Sequence, residues 1–429
     1  MRTQFAFGKS GIEVSVPERF AWRVVKSRCA DALEDGNAAL EAALDGPIGC
    51  KPIGELAAGK KSAAIAVCDI TRPAPNRRTL PPLLERLHDA GIAVEDITIL
   101  IATGLHREAT KEEVDAIVGP EIAARYRVVS HDARNMAQHR RLGLTRRGTP
   151  VAIDERFMAA DLHISLGFVE QHLMLGFSGG RKLVVPGLAS QETIKVIHSP
   201  RFMREPLAKE GSIAGNPLHA ELLEIAGMAR HDFILDVTLT LDREINGVFA
   251  GDPKKAHAAA VEFLEATSLE RLAEPVDAAI TSAAGYPLDL TFYQSVKGIS
   301  AAQHLVKPGG RILLIGECAE GIGSPEFARM LDGFSSNAGF LEEIRESAVE
   351  VDQWQLERLA MCGLRHELYF YTPKAPKEKL GFLGARSFDD LGDAIGALLD
   401  GLPDGARVAL IPEGPYTFAR AEEPVTASS

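Results

Sequence analysis

The chain has no Cys-x-x-Cys pair. Its cysteines, Cys29, Cys50, Cys68, Cys318 and Cys362, are odd in number and scattered, so zinc-ribbon, iron–sulfur and dithiol redox motifs are excluded and buried free thiols in a reducing compartment are expected. No apolar run approaches the ~18 residues a membrane span needs, and the start Met1–Gly8 lacks an apolar signal core. Secretion and membrane insertion are therefore disfavoured, and a cytoplasmic location is expected. Basic residues are scarce relative to acidic ones, 47 against 59, giving a formal charge of −12 with no basic stripe. Such a surface repels nucleic acid and anionic lipid. It would also repel a small carboxylate, which must then be captured by cations gathered locally. Two nucleotide fingerprints are missing as well. The stretch Gly176–Lys182 has Arg181 where a Walker A loop needs glycine, and Leu183 where it needs Ser or Thr; Gly321-Ile322-Gly323 is followed by Glu326 instead of a third glycine. Ordinary ATP and NAD sites are not supported.

What the sequence does contain is an ordinary globular mix, 46% hydrophobic and 25% charged, over 429 residues, enough for two or three domains. Only the Ala/Glu/Ser-rich tail after Phe418 has a disordered composition. Residues 1–18 alternate as short strands do, and 28–45 reads as helix. Apolar runs at Ala63–Cys68 and Ile97–Ile101 and further strand-like stretches at Arg127–Ser130 and Asp161–Leu166 alternate with amphipathic stretches, Asn76–Ala90 closed by Gly91 and Lys111–Val118 closed by Gly119. That alternation predicts βαβ units and a mostly parallel sheet. A second block follows Glu274-Pro275, with a strand at Val276–Thr281, a helix over 291–306, a turn at Lys307–Gly310 and a strand at Arg311–Ile315. The expected architecture is α/β, with two α/β domains, 1–273 and 274–429, their sheets mostly parallel and the active site in the cleft between them.

Ligands of open parallel sheets bind beyond the carboxyl ends of the strands. The less common residues fall there. Asp69-Ile70-Thr71-Arg72-Pro73 follows one strand, Ala102-Thr103-Gly104-Leu105-His106-Arg107 a second, and Gly167-Phe168-Val169-Glu170-Gln171-His172 a third. Asp69, Arg72, His106 and His172 would share one rim. Taken singly, each has a plainer reading: a loop histidine is often structural, Asp69 could cap the next turn, and Arg72 could pair with it. Gly176-Phe177-Ser178-Gly179-Gly180-Arg181-Lys182 has small residues that let backbone N–H groups approach an anion, flanked by two cations; a tight turn is the alternative. His198 ends a short helical stretch that Ser190 could cap. Its spacing from other histidines is not that of a zinc site, yet one histidine can be the only protein ligand of a metal whose other donors are organic. In the second block Gln294 and Lys297, three positions apart, share a helix face and suit a carboxylate, or form a solvated surface.

In this order, these stretches resemble the lactate racemase LarA family. The resemblance rests on Asp69-Ile70-Thr71-Arg72-Pro73, on Thr103-Gly104-Leu105-His106, on the run from His172 through Ser178-Gly179-Gly180-Arg181-Lys182 to His198, on Tyr293-Gln294-Ser295-Val296-Lys297 and on Trp354, and it spans roughly residues 1–415. It implies a nickel-pincer nucleotide, a pyridinium-3,5-bisthiocarboxylic acid mononucleotide carrying nickel, made by separate cofactor-synthesis proteins. Lys182 would match the lysine forming a thioamide link to it, and His198 the protein ligand of a square-planar nickel. Ser178, Gly179, Gly180 and Arg181 would hold the cofactor phosphate. His106 and His172 would be the acid/base pair, Arg72, Gln294 and Lys297 would hold substrate, and Asp69, Tyr293 and Trp354 would line or orient the site.

The activity so implied is inversion of the Cα of a 2-hydroxy acid by reversible hydride transfer. The α-hydrogen beside a carboxylate is hard to remove as a proton. It leaves more readily as hydride when a base takes the hydroxyl proton and a pyridinium accepts the hydride. The same residues would serve an epimerase of a sugar acid or malate-type substrate. Two readings of other classes are a hydrolytic metalloenzyme with His106, His172 and His198 as ligands, and a non-catalytic carboxylate-binding protein, which would have no need of two histidines.

Overall fold

The computed structural model describes residues 1–381 and 384–422; the tail from 423 on lies outside the described residues. The chain forms two compact units. One comprises Met1–Arg28, Ser199–Met203 and the residues from Ser268 on, the other Cys29–His198 and Arg204–Thr267. This division departs from a single cut at 273/274. The reason is strand β1 (Ala21–Val24), which pairs in parallel with a strand near the other end of the chain, Arg407–Ile411.

In the unit formed mainly by residues 29–267, strands β2 (Ala63–Cys68), β3 (Ile97–Ala102), β4 (Arg127–Ser130), β5 (Leu162–Phe168), β6 (Phe233–Leu239) and β7 (Ile245–Gly251) form a sheet in the order β7-β6-β5-β2-β3-β4. All neighbours are parallel except β6 and β7. Central parallel strands are covered on both faces, so they read as continuous apolar runs, and every residue of β2 and β5 is buried. The helices α1 (Asn76–Asp89), α2 (Lys111–Val118), α3 (Gln191–Ile197) and α4 (Lys255–Ser268) belong to this unit. Local chemistry sets their ends. Thr110 and Glu113 form a reciprocal capping box at α2, which Gly119 closes at φ 90°. The helix expected over 28–45 starts only at Gly36, where Asp35 accepts the Asn37 and Ala38 N–H groups; before it, the Leu33 N–H is bonded to the Ile245 carbonyl at the start of β7.

The chain passes from β2 outward through β3 to β4, then returns to place β5 on the other side of β2. The carboxyl ends of β2 and β5 therefore flank the topological switch point.

In the other unit, β1 joins β8 (Val276–Ser282), β9 (Val306–Ile315), β10 (Glu367–Tyr371), β11 (Arg386–Phe388) and β12 (Arg407–Ile411) in the order β11-β10-β9-β8-β12-β1, every pairing parallel. Helix α5 (Phe292–Ala302) follows β8, and α6 (Gln353–Arg365) precedes β10. The expected turn at Lys307–Gly310 lies inside β9. There the ladder to β8 shifts register after Val276, and Gly309, at φ 75°, supplies the left-handed residue of the irregularity. Among the described residues no helix is long and apolar enough to cross a membrane.

Candidate functional site

The switch point of the first sheet assembles one corner of the site. Asp69 leaves β2 and is buried, and its Oδ2 lies 2.6 Å from His106 Nδ1 on the loop after β3. The Thr71 hydroxyl donates to the other Asp69 oxygen at 2.7 Å, and the Arg72 N–H bonds back to the Asp69 carbonyl. Burial raises the Asp69 carboxyl, but the His106 and Thr71 hydrogen bonds and the nearby Arg72 charge outweigh it and hold the group below its ordinary range. Asp69 therefore stays ionised and takes the Nδ1–H of His106. In the neutral ring this leaves the lone pair on Nε2, and the side chain is about half exposed, 53%.

His172, beyond β5, is oriented the other way. Its Nδ1 accepts from the Met174 and Leu175 N–H groups at 3.4 and 3.3 Å, so the neutral ring carries its proton on Nε2. Burial, joined by the charges of Lys182, Arg72, Arg181 and His198, pushes its pKa well below the ordinary value. The loops after β2 and β5 and the His198 segment thus lie within electrostatic reach of one another.

His198 ends α3, which Ser190 caps by accepting the Thr193 N–H. Its Nδ1 donates to the Ile194 carbonyl at 2.8 Å, making Nε2 the lone-pair nitrogen, and burial lowers its pKa to about 4. A neutral imidazole with one nitrogen fixed by a carbonyl is the form that ligates metals. Among the described residues no group of three or more His, Cys, Asp or Glu could hold a metal ion by itself, so His106, His172 and His198 do not form a hydrolytic metal centre.

The Gly176–Lys182 stretch differs from the anion cradle that its composition suggests. The Ser178 hydroxyl donates to the Phe168 carbonyl and accepts the Glu170 N–H. The Ser178 N–H bonds to the Glu170 carbonyl, the Gly180 N–H to Asp236 Oδ2 at 2.6 Å, and the Lys182 N–H to the Gly179 carbonyl. Arg181 is wholly buried, donating to the Leu175 and Gly179 carbonyls and meeting His257 Nε2 at 2.8 Å. The side chains of Ser178 and Arg181 thus bind the protein's own backbone. They shape a turn that carries Lys182 instead of facing an anion.

Asp236 in β6 and His257 in α4 belong to this turn, and sequence reading misses both. Their only signal is polarity out of place: an aspartate in the middle of an apolar strand and a histidine among the alanines of α4.

In the other unit, Thr291 caps α5, whose first turns carry Tyr293, Gln294 and Lys297. Gln355 Nε2 donates to the Tyr293 carbonyl at 3.0 Å, which ties the start of α6, and with it the neighbourhood of Trp354, to the start of α5. The Tyr293 ring meets Phe327 edge-on at 5.2 Å. Gln294 Oε1 has no hydrogen-bond partner among the described residues.

The chain is similar to known proteins over most of its length. Models of the lactate racemase N-terminal and C-terminal domains match residues 7–211 and 272–417. The chain is 33% identical to a lactate racemase of Thermoanaerobacterium thermosaccharolyticum, over 97% of this chain and 99% of that one. It is 34% identical to a lactate racemase of Lactiplantibacillus plantarum, over 87% and 89%. The solved structure of the T. thermosaccharolyticum lactate racemase apoprotein superposes with a TM-score of 0.90 at 32% identity, covering 98% of this chain and all of that one. A Thermotoga maritima protein at 15% identity and TM-score 0.67 shares the fold alone. With two family models covering most of its length and full-length relatives above 30% identity, the chain belongs to the lactate racemase family of isomerases.

Proposed function

We propose that the protein racemises lactate or a closely related 2-hydroxy acid, using a nickel-pincer nucleotide held at Lys182 and His198. The observation that carries this reading is the Asp69–His106 pair, a carboxylate-oriented imidazole with an accessible Nε2 lone pair, on the same switch point as His172, Arg72 and Lys182. The donor chemistry suits the cofactor: His198 offers one neutral nitrogen, and the described protein groups supply no metal cage that would compete with organic donors. When bound, the nucleotide supplies a carbon that accepts and returns a hydride.

The chain's own residues do the rest. Arg72, Lys297 and the side-chain N–H group of Gln294 hold the substrate carboxylate and oxygen. His106 takes the hydroxyl proton at Nε2, and Asp69 stabilises the imidazolium that results. For the opposite enantiomer the same task falls to His172. Its ring must then present Nε2 as acceptor, which requires the Nδ1–H tautomer and a shift of the 172–175 turn that now donates to Nδ1. Tyr293 and Trp354 line the site.

The test is production alongside the cofactor-making enzymes, followed by assay on single enantiomers of lactate, longer 2-hydroxy acids, malate and gluconate. The reading expects lactate or a near homologue to be racemised, with nickel and an added mass on Lys182. Turnover confined to malate or gluconate would reassign the substrate. Full activity from the bare polypeptide would overturn the cofactor.

A further inference from the structure

We infer that Asp236 and His257 are positioning residues for Lys182, clamping the turn Gly179–Arg181 from below so that the lysine is delivered to its reaction position. The inference rests on the reading of Lys182 as the cofactor-bearing residue, but its geometry is independent of any ligand.

The clamp acts on the backbone at two points, the Ser178 carbonyl and the Gly180 N–H. Asp236 Oδ2 takes the Gly180 N–H at 2.6 Å, and His257 Nε2 lies 2.7 Å from the Ser178 carbonyl and 2.8 Å from Arg181 Nη1. A neutral imidazole can donate to Ser178 or accept from Arg181, one at a time. Arg181 carries the restraint onward to the Leu175 and Gly179 carbonyls. Gly179 and Gly180 have φ 73° and 51°, and neither has room for a side chain. A Cβ on Gly179 would sit 2.6 Å from Asp236 Oδ2 and 2.7 Å from Val169 Cγ2, and one on Gly180 would sit 3.0 Å from the His257 ring. The two glycines are needed because the clamp presses directly against the backbone.

The chemistry of the clamp is unusual for a purely structural contact. Asp236 is fully buried, and its Oδ1 has no hydrogen-bond partner among the described residues. Burial outweighs the Gly180 N–H, the Arg181 charge and the Gly167 N–H and brings its pKa up to about 6, while burial lowers Arg181 to about 9. Desolvating a carboxylate and a guanidinium under one turn is costly, and apolar residues at such places are often as stable or more so.

The test uses the full chain without cofactor. The acylation rate of Lys182 by a water-soluble reagent is read by peptide mass spectrometry against the exposed Lys60 and Lys111. Asp236→Ala is expected to change the Lys182 rate at least threefold relative to those references, whereas Asp236→Asn, which keeps an oxygen acceptor for Gly180, stays within twofold of wild type. Gly167→Ala is the second route, should Asp236→Ala not fold. Its Cβ would lie 2.9 Å from Asp236 Oδ1 and displace the carboxylate without removing a polar group, and the same threefold change is expected. A Lys182 rate unchanged in both Asp236→Ala and Gly167→Ala, whatever their melting temperatures, would overturn the clamp. If those rates change while wild-type protein made with the cofactor enzymes carries no mass on Lys182, the clamp stands and the covalent reading fails.

Discussion

The Asp69–His106 corner and the Gly179–Lys182 turn sit on the same sheet but are built by different means. The corner joins loops 37 residues apart through side chains, and its histidine is half exposed. The turn is enclosed and held by groups 56 and 79 positions further along the chain, acting on its backbone. In the corner, side chains are aimed outward, and changing them alters what a ligand meets. In the turn they are aimed inward, and changing them alters where the backbone lies. Substitutions at the corner should therefore reduce turnover and spare stability, while substitutions at the turn should reduce both.

The sharpest test of this contrast is His106→Asn. Loss of an acid/base group is expected to lower racemisation by roughly 10²–10⁴-fold while thermal melting and cofactor loading stay near wild type. His172→Asn should abolish the full cycle too, since both groups are needed to complete it, yet a single-turnover assay should still show one enantiomer delivering its Cα hydrogen. Equal loss of both half-reactions in each variant would remove the division of labour between the two rings.

Gly179→Ala tests the turn. Overpacking against Asp236 and Val169 at a left-handed φ is expected to cost roughly 2–4 kcal/mol, lowering the denaturation midpoint together with activity. A variant that melts like wild type but is inactive would make the turn behave like the corner. Arg72→Ala is expected to lower kcat/KM by about tenfold to a hundredfold, the usual worth of a charge-assisted hydrogen bond. Arg72→Lys should recover little of it, because an ammonium cannot reproduce a planar fork. Near wild-type kinetics would show that Arg72 serves only the local loop.

How far each region can be read from sequence follows the same contrast. The corner is legible because local rules build it. A continuous apolar run gives β2 within its observed bounds, Gly119 and the Thr110–Glu113 box bound α2, and chemistry-bearing residues follow directly on strand ends. The turn is only half legible. Its glycines and cations suggest an anion cradle, but whether Arg181 points outward or inward depends on Asp236 and His257, which no spacing rule connects to it. The region around β6 and β7 is the least legible, since Asp236 interrupts the apolar run of β6 and resembles a loop residue. The pairing of β1 with β12 is a contact across nearly the whole chain, invisible to any window of sequence. That distance is why a single boundary near 273 cannot describe the two units.

The smallest predicted effect is a dependence of stability on pH. Burial lowers His231 and His366 to about 4 and His219 to about 3, against an ordinary value of 6.5. The unfolded chain takes up these protons as pH falls through 6.5, and the folded chain does not. Their contribution is therefore complete above pH 6.5 and is lost as pH drops toward 4. Asp236, raised to about 6, acts in the opposite sense, its contribution being present below about 3.8 and lost as pH rises through 6. These histidines, joined by His172, His198 and His257, which burial also lowers, outweigh the one aspartate and give a net fall between pH 6.5 and 4, read as a declining urea midpoint; a rising midpoint over that range would show that the histidines are hydrated and the enclosure is looser than described.

The central claim, that the α-hydrogen moves as hydride between substrate and bound cofactor, is tested most directly with lactate deuterated at Cα, racemised in ordinary water by the loaded enzyme. The account predicts slowed turnover and a product of inverted configuration that keeps most of its deuterium, because a hydride held on the cofactor does not exchange with solvent. Complete washout of the label at the rate of racemisation would mean that His106 and His172 remove the α-hydrogen as a proton, and would contradict the account.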